Sequence, residues 1–237
     1  MTLLNTQFTN RLATAAVGCR WRVAGLAVVA LLSLLATACQ SEPQNRAAVV
    51  LIDISGAYAG EVDKARRVAG TLLSRLDPGD SIAIAFVDNT SYSDRNFIAR
   101  ADFDHRPSVA NEQKREVSAQ LDAFLERFSV PSAHSDLTGG MLLARDFLQR
   151  TESGRKQLFL LSDLDEDLKP DLDRDGPLEM DGIEVIAVNV IRRDSDNRNP
   201  ADYRQRVTDW EQRVEEDGGQ WKLVDEIDRL EHLASLR

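Results

Sequence analysis

The chain has 237 residues, a formal net charge of -10 and 43% hydrophobic residues. This acidic excess makes nucleic acids and anionic membrane surfaces poor partners, because both carry the same sign of charge. Its two cysteines, Cys19 and Cys39, both precede the region in which strands and helices are predicted, so that region has no disulfide framework. The length is sufficient for one domain with a sizeable hydrophobic core.

The N-terminal segment has the pattern of an export signal. Residues 1–22 carry three arginines and no acidic residue, and Val23–Ala38 is apolar except for one serine and one threonine. The apolar run is shorter than the roughly 17–25 residues that a membrane-spanning helix needs. A charged segment followed by a short apolar run predicts a secretory signal peptide over residues 1–38.

The residues Leu35-Ala36-Thr37-Ala38-Cys39 resemble the lipobox of bacterial lipoproteins. In that family the cysteine is acylated, for instance with palmitate, and becomes the first residue of the mature chain. The resemblance implies a lipid anchor on Cys39 and a short tether over residues 39–46. The following domain would then lie outside the cytoplasm, close to a membrane of the cell envelope. The alternative is a plain signal peptide or an uncleaved anchor, in which Cys39 is incidental.

Strands and helices alternate after the tether. The consecutive apolar residues Val49–Ile52 predict a strand that is buried on both faces. Apolar residues at helical spacing over residues 62–76 predict a helix, which ends at Asp77-Pro78-Gly79-Asp80. The later elements predicted in the same way are strands over residues 82–87, 97–103, 158–161, 183–190 and 220–224 and helices over 117–128, 141–148, 201–217 and 226–236.

This alternation predicts a three-layer α/β sandwich over residues 47–237, with a mostly parallel central sheet and helices on both faces. The mixed polarity of residues 97–103 indicates an edge strand, which we expect to be antiparallel. Asp53 and Ser55 follow the first buried strand, and Asp163 follows the strand over residues 158–161. The carboxyl ends of parallel strands form the ligand-binding edge of such a sheet. The packing of a hydrophobic core does not by itself explain why Asp53 and Asp163 both lie at that edge.

Four stretches in this order resemble a von Willebrand factor A-type domain: VVLIDISGAY, LDPGDSIAIAFVDN, SDLTGGMLLA and LFLLSDLDED. The resemblance covers the chain from about residue 47 to the C-terminus. It implies a von Willebrand factor A or Rossmann-like fold and a role in protein binding or adhesion. It also implies a metal-ion-dependent adhesion site, in which oxygen ligands at the sheet edge hold Mg²⁺.

The family site uses an Asp-x-Ser-x-Ser turn, a threonine from a later loop and an aspartate that ends a central strand. The resemblance assigns Asp53 and Ser55 to the turn, Ser135 to the loop hydroxyl and Asp163 to the final acid. Ala57 stands where the second serine is expected, so one oxygen ligand is missing and the site is partly degraded. Mg²⁺ retains waters when bound to proteins, so a water can take that ligand's place.

Two alternatives stay open for these residues. Thr138 replaces Ser135 as the loop hydroxyl if the register of the loop is shifted. In the other alternative there is no metal: Asp53 caps the helix that follows it, Ser135 or Asp136 caps a later helix, and Asp163 is a hydrogen-bonded turn residue.

A second candidate ion site lies in the acidic loop that follows Asp163. Three acids at alternate positions and a glycine that permits a sharp turn match the first half of a calcium loop: Asp171, Asp173, Asp175 and Gly176. The closing position carries Gly182 and not a bidentate glutamate, so Glu179 or Asp181 would have to substitute. The alternative is an acidic, solvated loop.

The resemblance therefore predicts an exported, membrane-tethered binding module with an unidentified protein partner, and not an enzyme. One alternative is a structural scaffold whose metal site has lapsed because of Ala57. The other is a metal-dependent hydrolase in which Asp53 and Asp163 hold the ion. No Gly-rich phosphate loop follows the first strand, and no Gly-x-Ser-x-Gly elbow occurs, so the sequence predicts no catalytic residue and no organic cofactor.

Overall fold

The computed structural model describes residues 44–56, 61–128 and 130–225. The predictions on the signal peptide, on the lipid anchor at Cys39, on Ala57 and on the last helix over residues 226–236 lie outside the described residues. Among the helices of the described residues, none combines the length and the apolar character that crossing a bilayer requires.

A single sheet and the helices on its two faces make up the described part of the domain. The strands are β1 (Arg46–Asp53), β2 (Ser81–Val87), β3 (Phe97–Asp102), β4 (Arg155–Leu161), β5 (Ile183–Val188) and β6 (Gln220–Val224). The helices are α1 (Val62–Arg75), α2 (Pro107–Arg127), α3 (Leu137–Arg150) and α4 (Pro200–Glu216), and a short 3₁₀ turn over Asp94–Asn96 precedes β3.

The sheet has the strand order β3-β2-β1-β4-β5-β6. Strand β3 pairs antiparallel with β2, and the other pairs are parallel. At the centre, Val50 lies opposite Ile84 of β2 and Phe159 of β4. The predicted three-layer α/β sandwich with one antiparallel edge strand is confirmed. Because β1 is central, its carboxyl end is flanked on both sides by the ends of parallel strands.

Side chains of β1 alternate between two hydrophobic layers. Val50 and Ile52 pack with residues of α1 and α2 on one face. Val49 and Leu51 pack with residues of α3 and α4 on the other. A strand covered on both faces is apolar at every position, which is why four consecutive apolar residues predicted it correctly.

The structure corrects two predicted boundaries. Helix α2 begins at Pro107, ten residues before the predicted start at residue 117. Its first turns are polar and bury only Ala110 before Val117, so they carry little hydrophobic periodicity. Strand β5 ends at Val188, because Asn189 adopts a left-handed backbone with φ of 51°.

Candidate functional site

Three loops meet at the carboxyl-terminal edge of β1 and β4, and backbone hydrogen bonds tie them together. The Ser132 N–H donates to the Ile54 carbonyl at 3.1 Å. Ser135 and Asp167 exchange two backbone hydrogen bonds of 3.0 and 3.1 Å. These loops and the connection between β5 and α4 surround a cleft of about 440 Å³, which we call the strand-edge cleft and which is lined by residues of segments 55–56, 133–135, 163–167 and 193–195.

The carboxylate of Asp53 contacts two residues that line this cleft, Ser55 and Ser135, and is almost fully buried, with 1% of its surface exposed. Its Oδ1 accepts from the Ser55 backbone N–H at 2.9 Å and from the Ser55 hydroxyl at 2.6 Å. Its Oδ2 accepts from the hydroxyls of Ser162 at 2.7 Å and Ser135 at 3.2 Å. Every one of these donors is neutral.

Among the described residues no cationic side chain pairs with Asp53, and burial raises the pKa of its carboxyl from 3.8 to about 6. The hydrogen bonds from Ser55 and Ser162 oppose the rise, and the neighbouring charge of Asp163 adds to it. Burial also raises the pKa of Asp163, against the hydrogen bond from the Asp165 N–H and the nearby charges of Arg193 and Arg206. Two carboxylates with raised pKa values therefore face one region.

The loop after β4 holds Asp163 in place through an unusual backbone. Leu164 has a φ of 63°, a left-handed conformation that a leucine rarely adopts, yet its side chain is buried. Its N–H donates to the Ser162 hydroxyl at 2.9 Å, and its carbonyl accepts from Trp210 Nε1 at 3.0 Å. The core and these two hydrogen bonds thus enforce the turn that presents Asp163.

The structure brings Ser135, and not Thr138, to Asp53. The Thr138 hydroxyl donates to Glu166 Oε2 at 3.0 Å and accepts from Arg213 Nη1 at 2.8 Å. Glu166 also accepts from the Thr138 backbone N–H at 2.6 Å, so it satisfies a free donor at the start of α3. Ser135, and not the alternative Thr138, is therefore the hydroxyl that contacts the Asp53 carboxylate.

Asp136 is the N-cap of α3 and anchors a second loop. Its side chain accepts from the Gly139 N–H at 2.9 Å and from the Ser91 N–H at 2.6 Å. The guanidinium of Arg174 binds both of its oxygens, at 2.9 and 2.8 Å. Burial alone would raise the pKa of Asp136, but Arg174 and the two backbone donors hold it below its usual value. Asp136 therefore has a structural role beside the cleft.

The acidic loop that resembles half of a calcium site is arranged differently from such a site. Asp171, Asp173 and Asp175 are exposed, and Asp173 accepts from the backbone N–H of Asp175 at 3.0 Å. Arg174, at the fourth loop position, binds Asp136. Glu179, a candidate closing ligand, forms an ion pair with Arg145 at 2.9 Å. This arrangement does not fit a calcium cage, and calcium binding at the loop stays a prediction.

The oxygen-bearing groups at Asp53 could serve as ligands of a hard divalent cation such as Mg²⁺. They are two carboxylates and serine hydroxyls, and hard cations prefer such oxygen ligands. The Nδ1 atom of His134, which also lines the cleft, lies 2.9 Å from Asp167 Oδ2. In the part of the chain that the structure describes, no three His, Cys, Asp or Glu side chains form a metal-binding group. A cation at Asp53 would therefore depend on the serines and on water.

Two polar residues of this region were not predicted from the sequence. Ser162 donates to Asp53, and its signal was present, because it is the first hydroxyl after the buried strand β4. Arg193 forms ion pairs with Asp163 at 3.8 Å and with Asp165 at 2.6 Å. It lies on the connection between β5 and α4, and no local pattern linked it to this edge.

A larger cleft, of about 580 Å³, lies at the opposite edge of the sheet beside Ser81 and Asp102. These two residues are already paired, since the Ser81 hydroxyl donates to Asp102 Oδ1 at 2.6 Å. The smaller strand-edge cleft is the better candidate site, because residues distant in the sequence converge there on a buried carboxylate with a raised pKa.

No protein-family model and no curated protein sequence matches the chain. Solved structures do match its fold. The pilus adhesin SpaC from Lactobacillus rhamnosus GG, in an open conformation, has a TM-score of 0.52 at 10% identity, over 82% of this chain and 30% of SpaC. BatB from Bacteroides thetaiotaomicron has a TM-score of 0.47 at 13% identity, over 80% of this chain and 94% of BatB. A von Willebrand factor type A protein from Catenulispora acidiphila has a TM-score of 0.45 at 12% identity, over 81% of this chain and 41% of that protein.

At such identities the likeness concerns the fold alone, and the chain spans about a third of the length of SpaC. The strand order, the antiparallel edge strand and the helices on both faces agree with it. The sheet topology and the likeness to SpaC thus agree with the α/β fold that the resemblance to a von Willebrand factor A-type domain predicted.

Proposed function

We propose that the domain is a protein-binding module whose binding site is the strand-edge cleft, with Mg²⁺ held by Asp53, Ser55, Ser135 and Asp163. The observation that carries this proposal is the convergence of hydroxyls on the buried Asp53 carboxylate. Ser135 and Ser162 come from 82 and 109 residues further along the chain. Packing does not require polar groups from such distant segments to meet at one carboxylate.

The charge balance at Asp53 supports a cation. An ionised carboxylate that is buried among neutral donors is destabilising unless an opposite charge lies nearby. Each serine hydroxyl that donates to Asp53 keeps lone pairs for another contact. A bound Mg²⁺ would supply the missing positive charge and accept those lone pairs. The protein's own groups can therefore satisfy the ion without rearranging their hydrogen bonds to Asp53.

The same balance favours an acidic group on the partner. Asp53 and Asp163 provide two negative charges, and the serines provide none. An ion held by so few charges stays electrophilic toward a carboxylate from outside. We therefore propose an acidic side chain of a protein partner as the group that enters the cleft. The missing oxygen at Ala57 would weaken the affinity for the ion.

The site of action that we propose is the outside of a bacterial cell. The support is the signal-like N-terminus and the lipobox-like segment that ends in Cys39. SpaC is by its name a pilus adhesin. The proposal takes from it only the general role of an extracellular binding domain. Labelling of intact cells with radioactive palmitate, lost in Cys39→Ser, tests the lipid anchor.

Cation binding is tested by calorimetric titration of the full chain, in detergent, with Mg²⁺, Mn²⁺ and Ca²⁺. We expect binding that is lost in Asp53→Asn and weakened in Ser135→Ala. The matched controls are Thr138→Ala, which removes a hydroxyl from the first turn of α3, and Asp173→Asn, an exposed acid of the other loop. Both should bind as the unmodified chain does.

Other outcomes have defined meanings. Binding that Asp173→Asn abolishes and Asp53→Asn leaves intact would place the ion in the acidic loop. No binding in the unmodified chain would favour the scaffold with a lapsed site.

For the partner, material captured from cell-envelope extract should be released by a chelator and should not bind Asp53→Asn. Capture that neither the chelator nor the Asp53→Asn substitution reduces would contradict the proposal that the partner binds in the cleft.

A further inference from the structure

Arg193 places a positive charge in the cleft where a cation is proposed to bind. Its Nη1 lies 2.6 Å from Asp165 Oδ2, and its Nε lies 3.8 Å from Asp163 Oδ2. Ser55 and Ser135 line the same cleft. The guanidinium therefore neutralises, from within the chain, one of the two carboxylates that the proposed function assigns to Mg²⁺.

The backbone of Arg193 is fixed while its side chain is loosely held. Asp196 accepts from the Arg193 N–H at 2.8 Å, and Arg206 binds both oxygens of Asp196 at 2.8 Å. The Arg193 side chain is 38% exposed, and its short contact is with Asp165, which is 34% exposed. Exposed ion pairs of this kind contribute little to stability. The guanidinium can therefore leave Asp163 without displacing the loop.

We propose that Arg193 is an internal competitor of the divalent cation for Asp163 and so sets the cation concentration at which the cleft becomes competent to bind. This inference rests on the proposed function. Without the cation, the guanidinium compensates Asp163 and Asp165. With the cation bound, two positive groups lie in one cleft and repel each other, so Arg193 moves toward solvent. Arg193 is thus a positioning residue that weakens cation binding.

Coulomb's law sets the size of the effect. A divalent ion and a guanidinium about 7 Å apart in a water-filled cleft repel by an amount equivalent to about a tenfold change in affinity. Because the cleft is open to solvent, salt screens this repulsion, and the effect falls as ionic strength rises.

The test is the Mg²⁺ dissociation constant of the full chain in detergent, measured by calorimetry at low and high salt. Arg193→Gln should bind Mg²⁺ about tenfold more tightly at low salt, and the gain should shrink at high salt. Arg193→Lys keeps the charge and should stay near the unmodified affinity. Arg198→Gln, an exposed arginine of the same loop, removes the same net charge outside the cleft and should change the affinity less than twofold. Thermal unfolding verifies that each variant is folded.

The outcomes separate this inference from the proposed function. Equal affinity in Arg193→Gln and the unmodified chain overturns the role of Arg193 and leaves the metal site standing. Weaker binding in Arg193→Gln also overturns it. Mg²⁺ binding by Arg193→Gln but not by the unmodified chain supports the competition and contradicts the use of a cation by the unmodified chain. No binding in any variant overturns both.

Discussion

Replacing Asp53 with asparagine should stabilise the cation-free protein at neutral pH. The pKa of Asp53 is about 6 in the folded chain and has an ordinary value of 3.8. The folded state therefore binds this proton more tightly than the unfolded state. The stabilising contribution of the protonated form is complete below pH 3.8 and is lost as the pH rises through about 6.

The size of this loss follows from the pKa difference, which corresponds to about 3 kcal/mol for so buried a group. Asparagine keeps the bonds that Ser55 donates, and the hydroxyls of Ser135 and Ser162 can rotate to accept from its amide. Allowing for imperfect geometry, we expect Asp53→Asn to gain about 2 kcal/mol at pH 7.5. For a domain of this size that is about 4–8 °C in Tm.

The assay is thermal unfolding between pH 3.5 and 8, with a chelator present and then with Mg²⁺. The advantage of Asp53→Asn should vanish at low pH and grow through pH 6. A cation at 100 times its dissociation constant adds about 2.7 kcal/mol to the unmodified chain and nothing to the variant, so the order of stabilities reverses. Asp173→Asn is the matched control and should keep the pH profile of the unmodified chain and gain the same stability from Mg²⁺. Parallel pH profiles for Asp53→Asn and the unmodified chain would refute the reasoning.

Two further predictions concern the start of α3. Gly139→Ala should destabilise the protein by about 2–4 kcal/mol, because a Cβ there would lie 2.3 Å from Asp136 Oδ2. Gly70→Ala, on an open face of α1, should instead stabilise it by about 0.5–1 kcal/mol, and thermal unfolding of the two variants checks the contrast. Arg174→Met should cost about 3–5 kcal/mol in urea unfolding, since it leaves the buried Asp136 carboxylate without its partner. The double variant with Asp136→Asn should recover part of that loss, and an unaltered Arg174→Met protein would contradict a buried ion pair.

Local patterns predicted the fold because its central strands are covered on both faces. Val49–Ile52 and residues 158–161 have apolar side chains at every position, and a polar residue marks the end of each strand. Asp53 and Asp163 were found by this signal. The beginning of α2 was missed because its first turns face solvent, so that composition there reflects solubility and not packing.

The contacts that could not be predicted are those between residues far apart in the sequence. Arg174 binds Asp136 from 38 residues away, and nothing in the acidic loop distinguishes it from a solvated arginine. The alternating acids there predict a calcium loop, which stays a prediction, but their spacing gives no information on where the side chain of Arg174 points. Arg193 was missed for the same reason, since its position in the cleft depends on how the β5–α4 connection crosses the sheet edge.

The strand-edge cleft concentrates unfavourable features that a scaffold would not need. An ionised Asp53 without a counter-charge and a left-handed Leu164 each destabilise the cation-free chain by about 1–3 kcal/mol. A scaffold gains no stability from a carboxylate buried at this edge, because an asparagine would bond the same serines, with two hydroxyls reversed to accept, and would carry no charge. A bound cation would reverse that preference, since it would remove the penalty on the ionised Asp53. The carboxylate at residue 53 is therefore the feature that most favours a cation-dependent binding module over a scaffold.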